Sequence, residues 1–165
     1  MAKMILVSGC SGVGKTSFSK QYASIHNLLY LSPDNFYKIM NGDERIRKNK
    51  FDVWQALFRA IHNAECDGID CIIDTNALKQ VDRDQFLGWF PNFEHHLVYI
   101  HADPELRYMN NMSRDRKVPD EDMRRMDEVV QIPNWETLDR RWKSFMRINN
   151  SHNCFLIAEQ GGVGL

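Results

Sequence analysis

The segment 9–16 constrains the fold of this chain more than any other part of its sequence. It reads Gly-Cys-Ser-Gly-Val-Gly-Lys-Thr and fits the pattern G-x-x-x-x-G-K-[ST], with an apolar stretch before it and a helical pattern after it. Glycines let the backbone wrap an anion with its N–H groups pointing inward, and the N-terminus of the following helix adds a favourable dipole. The segment therefore predicts a phosphate-binding loop between a buried strand and a helix.

Individual roles follow within this segment, which we call the phosphate loop. We expect Lys15 to reach the β- and γ-phosphates of ATP and the Thr16 hydroxyl to ligate Mg²⁺. Because a helix N-terminus and a nearby lysine lower a thiol pKa, we also expect alkylation of Cys10 to inhibit and ATP-Mg to protect. The residues expected to bind the nucleotide are Gly9, Ser11, Gly12, Val13, Gly14, Lys15, Thr16, Ser17, Arg114 and Arg116.

Composition limits the classes of protein that remain. The chain has 165 residues, of which 43% are apolar and 26% charged, as expected for one globular domain over residues 1–165. Its net charge of -1 excludes nucleic-acid binding through bulk charge alone, so any such contact needs a local patch. No apolar run approaches the roughly 20 residues of a membrane span. Four cysteines without CxxC spacing indicate free thiols and a cytoplasmic location.

Short apolar runs alternate with helical patterns along the chain. This alternation predicts a three-layer α/β fold of the P-loop NTPase type, with a five-stranded, mostly parallel sheet, helices on both faces and a small helical lid. The apolar stripe of residues 51–61 predicts a helix face packed in the core. Strands are expected near residues 4–8, 28–31, 69–73, 96–100 and 154–158, and helices near 16–25, 51–61, 82–90, 104–112, 120–130 and 135–146.

The phosphate loop does not by itself define the reaction. A GTPase needs D-x-x-G, which the sequence lacks, and the N-K-x-D match at residues 49–52 follows no apolar strand. In many ATPases a glutamate after a strand-terminal aspartate activates water, whereas Asp74 is followed by Thr75 and Asn76. A phosphotransferase remains, in which a lid excludes water.

Polar residues follow two predicted strands at the edge where parallel sheets bind ligands. Asp34 is placed to accept a proton from an attacking hydroxyl, although an ordinary helix N-cap is the open alternative. Asp74, Thr75 and Asn76 offer acceptors, a hydroxyl and an amide that suit the phosphate or sugar of a substrate, or simply a turn after the strand.

A basic segment lies between two predicted helices. Arg114, Arg116 and Lys117 place three cations in four positions, a pattern that fits either a phosphate clamp or a solvated loop. We expect a lid over about residues 113–131.

Together these segments resemble the polynucleotide kinase-like P-loop kinases over roughly residues 3–158. The resemblance implies transfer of the ATP γ-phosphate to a hydroxyl, often the 5′-OH of DNA or RNA. It implies that Asp34 is the general base, that Asp74 and Thr75 hold the acceptor, and that Arg114 acts from the lid. The length of 165 residues leaves room only for the kinase domain, so we expect no further catalytic domain in this chain.

The chain departs from that family at the acceptor and in the lid. The family has an arginine three residues after its base, where this chain has Tyr37 followed by Lys38, so we expect both at the acceptor. The second lid arginine of the family corresponds here to Arg116 or to Arg107.

Several acceptors stay open at this point. Four cations, Arg45, Arg47, Lys48 and Lys50, fit the phosphates of a polynucleotide with a free 5′-hydroxyl, or solvated helix faces. A kinase for hydroxymethylated bases in DNA is a variant of that interpretation. The near-neutral charge suits a small-molecule kinase for a nucleoside, sugar or antibiotic, and a non-catalytic nucleotide-binding module is the non-enzyme alternative. The oligomeric state stays undetermined.

Overall fold

The structure, a computed structural model, describes residues 1–152 and 154–162 of the chain. Residue 153 and residues 163–165 of the expected single domain lie outside the described part. The strands are β1 (Lys3–Ser8), β2 (Leu29–Leu31), β3 (Cys71–Asp74), β4 (Glu94–His101), β5 (Trp142–Asn149) and β6 (Leu156–Gly162). The helices are α1 (Lys15–His26), α2 (Pro33–Asn41), α3 (Lys50–Asp67), α4 (Gln80–Trp89), α5 (Pro104–Met112) and α6 (Asp120–Val129), and a 3₁₀ turn spans Trp135–Thr137.

The strands form one sheet in the order β2-β3-β1-β4-β5-β6. The first five strands are mutually parallel, and β6 pairs antiparallel with β5 at the edge. In β3 and in all but the first residue of β1 every residue is buried, as expected for parallel strands covered on both faces. The predicted α/β fold with a mostly parallel sheet is confirmed, but the described chain has six strands rather than five.

The predicted last helix, residues 135–146, is wrong. A 3₁₀ turn covers its start, and β5 begins at Trp142. Trp142 pairs with His95 and Ser144 with His96, so Lys143 is an extra residue that forms a bulge. The bulge breaks the two-residue alternation of side chains in β5. The apolar residues of β5 therefore have a spacing similar to that of a helix.

Two apolar clusters lie on opposite faces of the sheet. One includes Leu57 and Ile61 of α3 and Phe86 of α4, and the other includes Ala23 of α1 and Val13 of the phosphate loop. This packing fixes three loops at the carboxyl ends of neighbouring strands: the phosphate loop after β1, residues 32–34 after β2, and residues 75–79 after β3. In the part of the chain that the structure covers, no helix has the length and apolar character needed to cross a membrane.

Candidate active site

The phosphate loop packs tightly against its neighbours. Gly9 has a φ of 144° and Gly12 a φ of 84°, and a Cβ at either position would collide with the backbone of Ile100 or Arg107, respectively. These two positions therefore require glycine. The Asn110 side chain also donates from Nδ2 to the Gly12 carbonyl oxygen at 2.9 Å. The loop is held in place by the end of β4 and by α5.

Lys15 is the first residue of α1, and its ammonium lies inside the loop. Its Nζ donates to the Cys10 carbonyl oxygen at 2.8 Å, and only 8% of the residue is exposed. Burial lowers the pKa of Lys15 from its ordinary value, while the carboxylate of Asp74 opposes that change. The position suits a cation that meets phosphate oxygens.

The expected lowering of the Cys10 pKa is wrong. Cys10 is buried, and this burial raises the pKa of its thiol above the ordinary value despite the nearby Arg107 and Lys15. Because the thiolate is the reactive form, the structure gives no support to rapid alkylation at this site.

Thr16, in the first turn of α1, contacts Asp74, the last residue of β3. Thr16 Oγ1 donates to Asp74 Oδ2 at 2.6 Å, and the Tyr30 hydroxyl donates to the same oxygen at 3.1 Å. A hydroxyl and a carboxylate beside a phosphate loop are oxygen ligands of the kind that Mg²⁺ takes, so these residues fit that ion. Sequence reasoning assigned Asp74 to the acceptor alone, because the pairing of β3 with β1 is not visible in the sequence.

Residues 75 and 76 follow Asp74 and line the same cavity as Lys15. The Thr75 backbone N–H donates to the Val7 carbonyl oxygen at 3.1 Å, and the Asn76 carbonyl oxygen accepts from the Gly9 N–H at 3.1 Å. These backbone bonds tie the segment to the phosphate loop and leave both side chains at the cavity wall.

Asp34 lies in the first turn of α2 and does not cap that helix. The N-cap is Ser32, whose Oγ accepts from the Asn35 N–H at 3.2 Å, so the alternative of an Asp34 cap is wrong. Instead, Asp34 accepts from Arg47 Nη2 at 2.6 Å and from Arg116 Nη1 at 3.0 Å. The carboxylate is therefore held between two arginines from different loops.

Arg47 lies beside Asp34, where the sequence analysis expects the positive charge of Lys38. Tyr37 is buried and lines the cavity, and the Arg47 guanidinium lies over its ring at 4.3 Å from the centroid. Lys38 is exposed on α2 and is not among the cavity-lining residues. The sequence predicts Arg47 only as one of the basic residues 45–50, because nothing in the sequence shows that the α2–α3 loop returns to the cavity.

The basic segment between α5 and α6 supplies two arginines to the cleft. Arg114 and Arg116 both line the cavity, and Arg114 is close enough to Lys15 for its charge to oppose the ammonium. Arg107 has a different role: it is buried, donates from Nε to the Ser11 carbonyl oxygen at 3.2 Å and pairs with Asp127. Between the two candidate partners of Arg114, only Arg116 lines the cleft.

One cavity of about 970 Å³ connects these groups. This volume is at the upper end of the roughly 300–1,000 Å³ of ligand pockets, so it has room for a nucleotide and a second substrate. Gly9, Val13 and Lys38 are expected site residues that do not line it. The expected residues that do line it are Ser11, Gly12, Gly14, Lys15, Thr16, Ser17, Asp34, Tyr37, Asp74, Thr75, Asn76, Arg114 and Arg116.

Two aromatic residues of the stripe that the sequence predicts as core, Trp54 and Phe58 of α3, also line the cavity. Trp89 of α4, to which the sequence analysis gives no role, lines the cavity too. Leu57 and Ile61 of the same predicted stripe are fully buried, as expected. The three-to-four-residue spacing identified the helix but does not distinguish a core face from the adjacent cleft face.

The strand order, with β1 between β3 and β4, and the loop that leads into α1 define a P-loop nucleotide-binding fold. The family model described as "AAA domain" matches residues 4–133, and the chain belongs to that family. The family assignment supports nucleotide binding by this chain.

Solved structures show the same fold at low sequence identity. A putative kinase from Chloroflexus aurantiacus is similar with a TM-score of 0.69 and 18% identity, over 92% of this chain and 90% of that one. A sugar kinase from Janibacter sp. gives 0.67 and 16%, over 90% and 86%. A chain of the Pnkp1/Rnl/Hen1 RNA repair complex gives 0.65 and 12%, over 80% of this chain and 48% of that one. These similarities show the fold alone, an α/β P-loop fold.

Proposed function

We propose that this protein is an ATP-dependent kinase that transfers the γ-phosphate of ATP to the 5′-hydroxyl of DNA or RNA. The observation that carries the proposal is the position of Asp34, which shares one cavity with Lys15 and Thr16 of the phosphate loop. The kinase names of several solved structures with this fold agree with the reaction type, and the RNA repair complex agrees with the acceptor.

The donor half of the site binds ATP. The phosphate-loop N–H groups and Lys15 hold the β- and γ-phosphates, and Arg114 adds positive charge where charge develops in transfer. Thr16 and Asp74 would hold Mg²⁺, which neutralises charge on the phosphate oxygens. Residues 113–131 act as the lid that excludes water from the transferred group.

The acceptor half uses Asp34 as general base. The attacking hydroxyl gives its proton to the Asp34 carboxylate while its oxygen forms a bond to the γ-phosphorus and the bond to ADP breaks. Arg47 and Arg116 hold the carboxylate in position through its two oxygens. Thr75 and Asn76 line the same cavity as Asp34 and contact the acceptor.

A second hollow favours a polynucleotide acceptor. It has a volume of about 610 Å³ and shares Arg47 and Arg116 with the first cavity. Its wall adds the cations Arg45, Lys117 and Arg125, together with the carboxylates of residues 115 and 122. A cationic path that leads away from the base suits the phosphates that follow a 5′-terminal nucleotide.

The free cysteines fit the cytoplasmic location that we propose.

The test is transfer from γ-labelled ATP to a panel of acceptors: 5′-OH DNA and RNA oligomers, duplex DNA with hydroxymethylated bases, free nucleosides and free sugars. We expect label on the 5′-OH oligomers, and a loss of about 100-fold or more in Lys15→Ala, which lacks the cation on the phosphates. Label only on nucleosides or sugars would identify a small-molecule kinase. Label only on the hydroxymethylated duplex would identify a modified-base kinase, and ATP binding without any transfer a non-catalytic module.

A further inference from the structure

Part of the cavity wall is aromatic and is formed by Trp54, Phe58 and Trp89, which we call the aromatic wall. The ring centroids of Trp54 and Phe58 are 5.7 Å apart, and those of Phe58 and Trp89 are 4.9 Å apart. Trp54 and Phe58 come from α3 and Trp89 from the last residue of α4, so two helices build one continuous surface. All three side chains line the cavity that contains Asp34.

The aromatic wall is more exposed than packing of the core requires. Trp89 is 46% exposed, and Trp54 and Phe58 are half-buried with part of their surface against the core cluster. Leu57 and Ile61, on the same helix as Trp54 and Phe58, are completely buried. The core is therefore closed by other residues, and the remaining aromatic surface faces the cavity, where such surface commonly contacts a ligand.

Polar groups accompany the wall at a regular spacing. Lys50 precedes Trp54 by four residues on α3, and Gln85 precedes Trp89 by four residues on α4. Residues four apart lie on the same helix face, and both polar residues line the cavity. Gln85 offers a donor and an acceptor for the edge of a ring, and Lys50 offers a cation for a phosphate.

We propose that the aromatic wall is a stacking subsite for the nucleobase of the terminal acceptor nucleotide. A flat base stacks on aromatic faces irrespective of its identity. The ring edge of the base meets Gln85, and the 5′-hydroxyl of the same nucleotide faces Asp34. This inference rests on the proposed function and adds to it that the enzyme recognises the base, with little preference among the bases.

The first experiment changes the acceptor and leaves the protein intact. One 5′-OH oligomer carries an ordinary base at its 5′ end, a second carries an abasic residue there, and a third carries the abasic residue far from that end. The loss of one stacked base raises the acceptor KM by about 10- to 100-fold for the second oligomer alone, with the KM for ATP unchanged. Equal KM values for all three oligomers would overturn the stacking subsite but leave the kinase proposal intact.

The second experiment changes the wall. Trp54→Leu and Trp89→Leu keep an apolar contact with the core and remove the stacking surface. Each raises the acceptor KM for the ordinary oligomer but not for the one with an abasic end. Phe51→Ala is the matched control, because Phe51 is an aromatic residue of the same helix that is 72% exposed and does not line the cavity. Equal losses on both oligomers would mean that the wall is only structural.

A third measurement needs no turnover. Stacking of a base on Trp54 or Trp89 quenches tryptophan fluorescence, so the ordinary oligomer quenches the wild-type protein and the oligomer with the abasic end does so weakly. The quenching is lost in the Trp54→Leu, Trp89→Leu double variant. Quenching without phosphate transfer would preserve the subsite and overturn the kinase proposal. No quenching by any oligomer at concentrations that saturate transfer would overturn the subsite.

Discussion

At the scale of single residues, Arg47 joins Asp34 and Tyr37 at the proposed acceptor site. Its guanidinium binds Asp34 and lies over the ring of Tyr37, whereas the neighbouring Lys48 is exposed and outside the cavity. We predict that Arg47→Ala raises the acceptor KM by about 10- to 100-fold, because the proposed acceptor phosphate then loses a charged hydrogen-bond donor. Steady-state kinetics with acceptor and ATP varied separately measures this change, and the KM for ATP stays as in the wild type.

Lys48→Ala is the matched control for Arg47, because it removes a neighbouring cation that does not reach the cleft. We expect its acceptor KM to remain at the wild-type value. Comparable increases in the acceptor KM of the two variants would show that the basic residues 45–50 bind the acceptor together, and that the Arg47 guanidinium in the cavity has no special role.

The sequence identifies some site residues because they are adjacent along the chain. The phosphate loop has a fixed spacing, and its lysine and threonine lie where that spacing predicts. Arg47 and Trp89 carry no such signal, because one comes from a returning loop and the other from the end of a distant helix. Their contribution depends on how α2, α3 and α4 pack beside one another, which local patterns do not encode.

At the scale of whole elements, Arg83 ties the strand-end loop to the segment after α6. It is 1% exposed, and its guanidinium donates to the carbonyl oxygens of Ala77, Leu78 and Gln131 at 2.9–3.1 Å. Lysine has no planar fork and cannot reach all three acceptors. We predict that Arg83→Lys lowers the free energy of unfolding by about 2 kcal/mol, the order expected when a buried carbonyl loses its donor.

Urea denaturation measures the effect of Arg83→Lys, with Arg59→Lys as the control because Arg59 is exposed on α3. The control should change the unfolding free energy by no more than about 0.5 kcal/mol. A midpoint for Arg83→Lys equal to that of the control would mean that the three carbonyl bonds contribute little to stability.

Two arginines of the proposed lid, Arg114 and Arg116, line the main cavity and have different assigned partners. Arg116 makes a single 3.0 Å contact with Asp34, which a lysine ammonium can also make. Arg114 is assigned to the phosphates, where the bidentate fork matters. We therefore predict that Arg114→Lys lowers kcat at saturating substrates by about 100-fold or more, and that Arg116→Lys lowers it far less. Equal sensitivity, or a larger loss for Arg116→Lys, would exchange the two assignments.

The strands show how far element patterns reach. The buried strands β1, β3 and β4 are close to their predicted positions, since parallel strands covered on both faces give continuous apolar runs. β5 was predicted as helix because of its bulge at Lys143, and the predicted last strand became the antiparallel edge strand β6. Pairing partners and bulges depend on neighbouring strands, so single-chain periodicity does not determine them.

At the scale of the whole molecule, the net charge of -1 makes the salt response informative. A polynucleotide acceptor would contact the local cations of the second hollow, and each phosphate contact with a single strand contributes about -0.7 to the slope of log affinity against log salt. We predict that acceptor affinity falls steeply with salt while ATP affinity changes less, as measured by equilibrium titration over a salt series. A flat response would favour a small-molecule acceptor.

We propose that the phosphate loop and Asp34 belong to one transfer site. We expect Asp34→Asn to retain the fold. Ser32 provides the helix cap, and the half-exposed ion pairs of Asp34 contribute only about 0–1 kcal/mol to stability. ATP-Mg should still raise its melting temperature, because the phosphate loop is untouched. Asp43→Asn is the matched control, since Asp43 pairs with Arg45 in the adjacent loop and does not line the main cavity.

The decisive experiment is single-turnover transfer from γ-labelled ATP to a 5′-OH oligomer, measured on Asp34→Asn beside the wild type and the Asp43→Asn control. We predict a loss of about 10²- to 10⁴-fold for Asp34→Asn, with an unchanged ATP-dependent shift in melting temperature and a control close to the wild type. An Asp34→Asn protein that transfers phosphate at the wild-type rate would show that Asp34 is not the general base and would make Asp74 the next candidate.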